Sequence, residues 1–381
     1  MDTNGGRGDA RRRVHGRYAG ELQLCDDDSI VALPTARSLD EDDEARAVDG
    51  GDGGDLKPGR RYLVTGCAGF IASHLTQALT ARGCSVVGVD AFRDNYSRSI
   101  KERNLELCLE EGDVRFAELD LAEAPVEALL DGVDGIFHLA ARPGVRTSWG
   151  VTFDGYLRDN MSATQRVFEA AVERGIRVVY ASSSSVYGDA QAYPLREDAK
   201  PMPVSPYGVS KLACEALAGA YASSVGLDAV GMRFFSVYGP RQRPDMAFAA
   251  IFDCLARNLP FRMFGSGRQS RDFTFVGDVV EATLAAMQRA PSGRVYNVGG
   301  GSEISLLDAM ALCERIVGRR LELDQVGAGT GDARRTLADF GLAEAELGWT
   351  PATSLEAGLR AQAESTVGPE AEPARAVAEA V

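Results

Sequence analysis

Between residues 60 and 235 short apolar runs alternate with longer stretches whose apolar positions recur at helical spacing. Tyr62–Val64 forms an apolar strand that enters a turn at Gly66 and Gly69. An amphipathic helix is predicted from about Phe70 to Arg82, and a second apolar strand ends at Asp90. Further strands are predicted near Val114–Ala117, Gly135–Leu139, Arg177–Ala181 and Ala229–Arg233, with helices near Val151–Arg174 and Tyr207–Val225. Strict alternation of strand and helix implies an α/β fold, a doubly wound parallel sheet with helices on both faces. No internal repeat is visible, and beyond residue 235 the motif spacing changes.

The first 58 residues lack any sustained apolar period, are rich in Gly, Asp and Arg, and carry acidic runs at 25–29 and 40–44. Such a segment buries too little to order itself, so 1–58 is expected to be a disordered extension and 366–381 a shorter flexible tail. The net charge of −14 argues against a nucleic-acid partner, because phosphate backbones require a basic face. No apolar run reaches the roughly 18 residues of a membrane span, and the N-terminus lacks the apolar core of a signal peptide. The seven cysteines are scattered without metal-ligand spacing, which suggests reduced thiols in a cytoplasmic protein and no metal site. Cys67, in the glycine turn, is expected to be a small filler. With only His15, His74 and His138, a histidine triad or zinc centre is improbable, and His138 in GIFHLAA fits a strand end better than a catalyst.

Three motifs bring chemistry to this scaffold. In GCAGFIA, the spacing GxxGxxA ends on Ala72, and Gly66 and Gly69 let the backbone approach a pyrophosphate resting on a helix N-terminus. Asp90, at the end of the second strand, suits a ribose diol and would repel a 2′-phosphate, which favours NAD. Arg93 and Arg98 nearby would argue for NADP. In VVYASSSSVYG an apolar strand breaks into hydroxyls at its C-terminal end, where ligands of parallel sheets bind, although such serines also make local turn bonds. In SPYGVSK, Tyr207 and Lys211 share one helix face, so the ammonium can favour a phenolate. Alone that pair would fit a helix surface; following the other two motifs, it makes Tyr207 a base, with Ser183 able to hydrogen-bond the same substrate oxygen.

TGCAGFIASH, ASSSSVYG, SPYGVSK, RFFSVYGPRQRPDM and SRDFTFVGD resemble the extended short-chain dehydrogenase/reductase family of NDP-sugar epimerases and dehydratases, from about residue 60 to 360. PGVRTSWG, VYGPRQRPDMAF and GRQSRDFT are most similar to the bacterial UDP-glucuronic acid 4-epimerases within it. The resemblance implies a Rossmann-type NAD-binding domain at 59–235, with a return segment near 274–300. It also implies a smaller C-terminal nucleotide-sugar-binding lobe at 236–273 and 301–365. It places NAD against Gly66, Gly69, Phe70, Ile71, Asp90, Asp120, Leu121, Leu139, Ala140, Ala141, Asn160, Tyr207 and Lys211. For the UDP-sugar it implies Arg271 at the pyrophosphate, Asp332 at the uridine ribose, Phe248 in the nucleotide pocket and Arg243 in the sugar site. Arg146 lies where nicotinamide and sugar should meet, or serves only to stabilise its loop. Arg241 joins Arg243 and Arg271 as a cation beside the presumed cleft, and all three could equally be surface charges. The two long helices resemble those through which family members dimerise, though their apolar faces could instead pack within the subunit.

Catalytic Ser183, Tyr207 and Lys211 would then support oxidation at C4, rotation of the 4-keto sugar and reduction from the other face. The Asp-Glu pair that family dehydratases carry is replaced by Ser184 and Ser185, and the Glu of decarboxylases is missing at Ser185. Hydroxyls of Ser184, Ser185 and Ser236, with Arg243, could hold a C6 carboxylate out of alignment for decarboxylation. The expected activity is UDP-glucuronic acid 4-epimerisation. Alternatives are 4-epimerisation of a neutral UDP-hexose, UDP-glucuronate decarboxylation, or a non-catalytic NAD-binding regulator.

Overall fold

The computed structural model describes residues 56–327 and 329–367. The expected N-terminal extension and C-terminal tail lie outside the described residues except at their inner ends. In chain order the elements are β1 (Arg61–Thr65), α1 (Phe70–Thr80), β2 (Ser85–Asp90), α2 (Arg98–Glu111), β3 (Val114–Glu118), β4 (Gly135–His138) and α3 (Phe153–Tyr156). A wider π-helical stretch (Leu157–Ser162) leads into α4 (Ala163–Arg174), followed by β5 (Arg177–Ser183), α5 (Pro206–Val225), β6 (Ala229–Phe234) and β7 (Ser236–Tyr238). Then come α6 (Ala247–Arg257), β8 (Phe261–Phe264), β9 (Ser270–Phe275), α7 (Val276–Arg289), β10 (Val295–Val298), β11 (Glu303–Ser305), α8 (Leu306–Val317), β12 (Leu323–Val326), α9 (Gly341–Leu347) and α10 (Leu355–Val367).

Seven strands form one sheet in the order β3-β2-β1-β4-β5-β6-β10, and every pairing in it is parallel. Burial on both faces explains the apolar runs: all six residues of β6 and all four of β4 are buried. One core lies between the sheet and α1 and α7, and a second between the sheet and α4 and α5. The chain leaves β1 for β2 on one side and reaches β4 on the other, so the C-terminal strand ends open a crevice at this switch point. A three-stranded sheet (β11-β9-β7) and a two-stranded one (β12-β8) stand beside it, and α6, α8 and α10 enclose a further core.

Local chemistry shifts several predicted boundaries. The first helix stops at Thr80, and the Arg82 guanidinium folds back to the Ala78 carbonyl (2.8 Å) while also gripping Glu281. β5 continues to Ser183, so two of the serines are paired strand residues. The single helix expected over 151–174 is a short 3₁₀ turn, then α3, then the π stretch, then α4. Within that π stretch Asn160 bonds the Arg142 backbone in both directions, so the helix follows the loop after β4.

Two histidines are held neutral inside this framework. Thr65 Oγ1 accepts the Ala140 N–H (3.1 Å), which leaves its own proton for His138 Nδ1 (2.8 Å). His138 Nε2–H then donates to Thr164 Oγ1 (2.9 Å). Burial, and after it the charge of Lys211, depress His138 to about 3. His74 accepts from the Arg241 guanidinium at Nδ1 and donates from Nε2 to the Pro240 carbonyl (2.9 Å). Burial, followed by Arg241, lowers it to about 4.

Both shifts are downward, so the unfolded chain takes up these protons first as pH falls below 6.5, and stability is lost towards the folded values. Each histidine should cost about 1.4 kcal/mol per pH unit in that window. Urea unfolding of wild type and His74→Gln at pH 7 and pH 5 should show wild type losing roughly 2 kcal/mol more than the variant. Equal losses would mean that His74 is not held neutral.

Candidate active site

A cavity of about 490 Å³ runs along the C-terminal ends of β1, β2, β4 and β5 and continues between β7, β9 and α8. At its first end β1 turns at Gly66, whose φ of +71° suits glycine, and whose added Cβ would meet Ala140 Cα at 2.9 Å. A Cβ on Gly69 would meet the Gly66 carbonyl oxygen, also at 2.9 Å. The first turn of α1 has no side-chain cap and no acidic residue, so its backbone N–H groups and positive dipole end face the cavity through Gly69, Phe70 and Ile71. Asp90 lines the wall, where Oδ1 accepts the Phe92 N–H (2.8 Å) and burial raises its affinity for a proton. These residues fit a dinucleotide: a glycine cradle for a pyrophosphate, a bare helix N-terminus and a terminal acid for a ribose. Leu121, Leu139, Ala140 and Ala141 add apolar wall. Asp120 also lines the cavity, but its carboxylate is bound to Arg93 and Arg158.

Ser183, Tyr207 and Lys211 line the middle. Ser205 caps α5 by accepting the Gly208 N–H (3.1 Å) and Pro206 opens its first turn, which sets Tyr207 at the helix start and Lys211 one turn on. The Tyr156 ring meets Tyr207 edge-on at 6.2 Å. Lys211 Nζ donates to the Ala181 carbonyl of β5 (2.8 Å), which fixes the ammonium under the strand end that carries Ser183. Ser183 Oγ accepts the Ser185 N–H (3.1 Å), so its hydroxyl proton remains available to donate. Behind them the Glu215 carboxylate of α5 receives Ser182 Oγ (2.5 Å) and the fork of Arg233 (2.9 and 2.7 Å), both ions being nearly sealed from solvent.

The far end is cationic. Arg271 lines the cavity, makes no ion pair among the described residues, and donates to the Ser270 and Arg334 carbonyls. Burial lowers its proton affinity, and Arg146 adds to that effect. Arg146 stacks on the Phe264 ring at 4.0 Å and donates twice to Asp332 Oδ2 (3.0 and 2.7 Å); both lie in the lining. Arg243 and Ser236 line it too, with Arg243 presenting Nε and Nη2 to Asp245 (3.0 and 2.8 Å).

Five residues expected at or beside the site lie outside the lining. Phe248 is fully buried on the stripe Phe248, Ile251, Phe252, Leu255, which faces the core inside α6, and Phe273, whose ring packs against it tilted at 50° with centroids 4.6 Å apart, lines the cavity instead. Ser184 and Ser185 belong to the tight turn after β5, half-buried outside the lining. Asn160 is fully buried, and its amide joins Arg142 to Ser210 of α5 (2.9 Å), so it braces the loop and helix that flank the cleft. Arg241 is engaged by His74, outside the lining. Sequence reasoning missed Tyr96, Lys101, Gln242 and Gln269, all in the lining. Lys101 is nearly sealed from solvent, and its Nζ bonds Asn95 Oδ1 (2.9 Å). A lysine in a polar helix carries no sequence signal for such a position.

Strand, glycine turn, uncapped helix and terminal acid around one cleft define a Rossmann-type dinucleotide-binding protein with a tyrosine–lysine centre. The chain belongs to the NAD dependent epimerase/dehydratase family, whose model matches residues 62–299. It is 43% identical over 302 residues, 78% of this chain and 95% of the relative, to an uncharacterised UDP-glucose epimerase of Bacillus subtilis. It is 33% identical to a UDP-glucuronate 4-epimerase of Thermodesulfobacterium geofontis, over 78% of this chain and 94% of that one. Among solved structures, the UDP-glucuronic acid 4-epimerase of Bacillus cereus in complex with UDP-glucuronic acid and NAD superposes with a TM-score of 0.78 at 38% identity. That match covers 80% of this chain and 98% of the other.

Gly66→Ala should destabilise the protein by about 1–3 kcal/mol through the positive φ alone. The added methyl also displaces the Ala140 backbone, so the variant should lose bound dinucleotide. Nucleotide content after denaturing extraction, measured beside the melting temperature, checks this; wild-type content in the variant would remove Gly66 from the cofactor site.

Proposed function

We propose that this chain is an NAD-dependent UDP-glucuronic acid 4-epimerase that interconverts the gluco and galacto epimers. One observation supports it above the others: a single cavity carries the glycine cradle, Ser183, Tyr207 and Lys211, and beyond them Arg271, Arg243 and Asp332. Bound NAD supplies reversible acceptance and return of a hydride at the sugar's C4. Tyr207, as phenolate, takes the proton of the 4-hydroxyl and later returns it, while Lys211 stabilises the phenolate. Ser183 donates its free proton to the 4-oxygen. Arg271, unpaired with any described acid and already desolvated, offers its fork to the pyrophosphate. Asp332 accepts from the ribose once Arg146 yields. Holding the nucleotide end firmly lets the hexose turn between the two hydride transfers.

A neutral UDP-hexose is the second reading. Arg243 already has two N–H groups on Asp245, Ser184 and Ser185 stand outside the lining, and the 43% relative bears the name UDP-glucose epimerase. For the glucuronate, Arg243 retains Nη1 and the second Nη2 proton as donors. The reading further includes a Rossmann domain with a smaller nucleotide-sugar lobe and a cytoplasmic homodimer. Free thiols at the six described cysteines suit a reducing compartment. Exposed Leu157 and Val209, beside α4 and on α5, suit a helical dimer face.

Tyr207→Phe keeps the ring and removes the proton acceptor, so turnover should fall roughly 10²–10⁴-fold while bound NAD is retained. A near-normal rate would defeat the mechanism. For the sugar, a charge-assisted bond to the carboxylate should favour UDP-glucuronate over UDP-glucose roughly 10- to 150-fold in kcat/KM. Arg243→Ala should erase most of that preference. Equal turnover of both sugars by wild type would establish the neutral-hexose reading, and release of UDP-pentose the decarboxylase.

A further inference from the structure

The rim of the dinucleotide end is tied by one carboxylate. Asp159 sits in the π-helical stretch, lines the cavity and is about nine-tenths buried, with a side-chain exposure of 9%. Its Oδ2 accepts from Arg142 Nε (2.9 Å), on the loop after β4. Its Oδ1 lies 3.3 Å from Arg93 Nη2 and 3.3 Å from Arg158 Nη1. Arg93 belongs to the loop between β2 and α2, which starts just after Asp90 and borders the same cavity, and it also grips Asp120 in the loop after β3 (2.5 Å). The loop after β2 and the loop after β4 are thus both held at Asp159, the first by the ion pair with Arg93 and the second by the charge-assisted hydrogen bond from Arg142. Arg98, the other arginine of that region, instead pairs with Glu102 and Glu118, outside the lining.

We propose that Asp159 is a cofactor-positioning residue: through Arg93 and Arg142 it straps the loop after β2 to the rim of the cleft and slows the escape of bound NAD. This rests on the NAD reading above, for which such a strap has a chemical purpose. An enzyme that returns its hydride within each turnover has no need to exchange cofactor, so a tied rim costs it nothing in rate. The same ties occupy Arg93, the cation nearest Asp90 in sequence that borders the cleft, and so withhold it from a 2′-phosphate.

Asp159→Asn keeps the shape and removes the charge. NAD released from the purified protein during desalting, followed by nucleotide content against time, should leave at least roughly tenfold faster in the variant. Its turnover should become dependent on added NAD and recover when NAD is supplied. Arg93→Gln, on a partly exposed loop, should behave alike, and combining the two should add little, because both open the same tie. Arg98→Ala should retain NAD as wild type does. Wild-type retention by both Asp159→Asn and Arg93→Gln overturns the proposal, as does turnover that stays low in both at saturating NAD. Wild-type protein carrying no NAD would instead defeat the cofactor reading itself.

Discussion

The Glu215 carboxylate is the constraint on which the geometry of the tyrosine–lysine site depends. It accepts both arms of Arg233 from β6 and the hydroxyl of Ser182 from β5, while its own helix carries Tyr207 two turns earlier and Lys211 one turn earlier. Removing one partner of so buried a pair leaves an uncompensated charge, at a cost of about 3–5 kcal/mol. The helix therefore has one register against the sheet. Lys211 repeats the tie from the same face by donating to the Ala181 carbonyl, and Arg233 extends it to the Tyr187 hydroxyl and the Glu197 carbonyl. Ser183 and Tyr207 meet in one cavity because these bonds leave neither element free to slide.

Charge is distributed within the site to match what each end must hold. A chain of net charge −14 attracts the anionic nucleotide sugar of the proposed function only if its cleft differs locally from its surface. Arg271, Arg146 and Arg243 bring that difference to the far end, while at the near end the work falls to an uncapped helix terminus. The arginines are not equivalent. Among the described residues Arg271 has carbonyl partners only, so its charge is free to be neutralised by a ligand, whereas Arg146, Arg243 and Arg93 are already matched with Asp332, Asp245 and the Asp120–Asp159 pair. A ligand that uses a matched arginine must exchange one anion for another, which makes those positions sensitive to the shape of the substrate as well as to its charge.

The hydrophobic pattern was sufficient for the parallel sheet, because strands buried on both faces must be apolar throughout and glycine turns with terminal acids are local in sequence. Gly66, Gly69, Asp90, Ser183, Tyr207 and Lys211 were legible for that reason, and all six line the cleft. The strands beyond residue 235 were not. Strands of three to six residues, all but β10 paired in small sheets with partners far along the chain, leave too little periodicity to detect.

Other outcomes were decided only by the folded chain. Phe248 looked like a pocket residue, yet the apolar stripe of α6 turns it into the core and leaves Phe273 at the wall. Asn160 became a brace, and Lys101 entered the cleft from a helix of otherwise polar character. Sequence alone named which arginines exist, but not which carboxylate each would find far along the chain, as Arg146 finds Asp332 across 186 residues. Local backbone geometry and burial on two faces are written in neighbouring residues, so the sequence by itself determined the dinucleotide fold and its tyrosine–lysine pair. Long-range pairing of charges depends on where distant loops come to rest, and only the tertiary structure decided it.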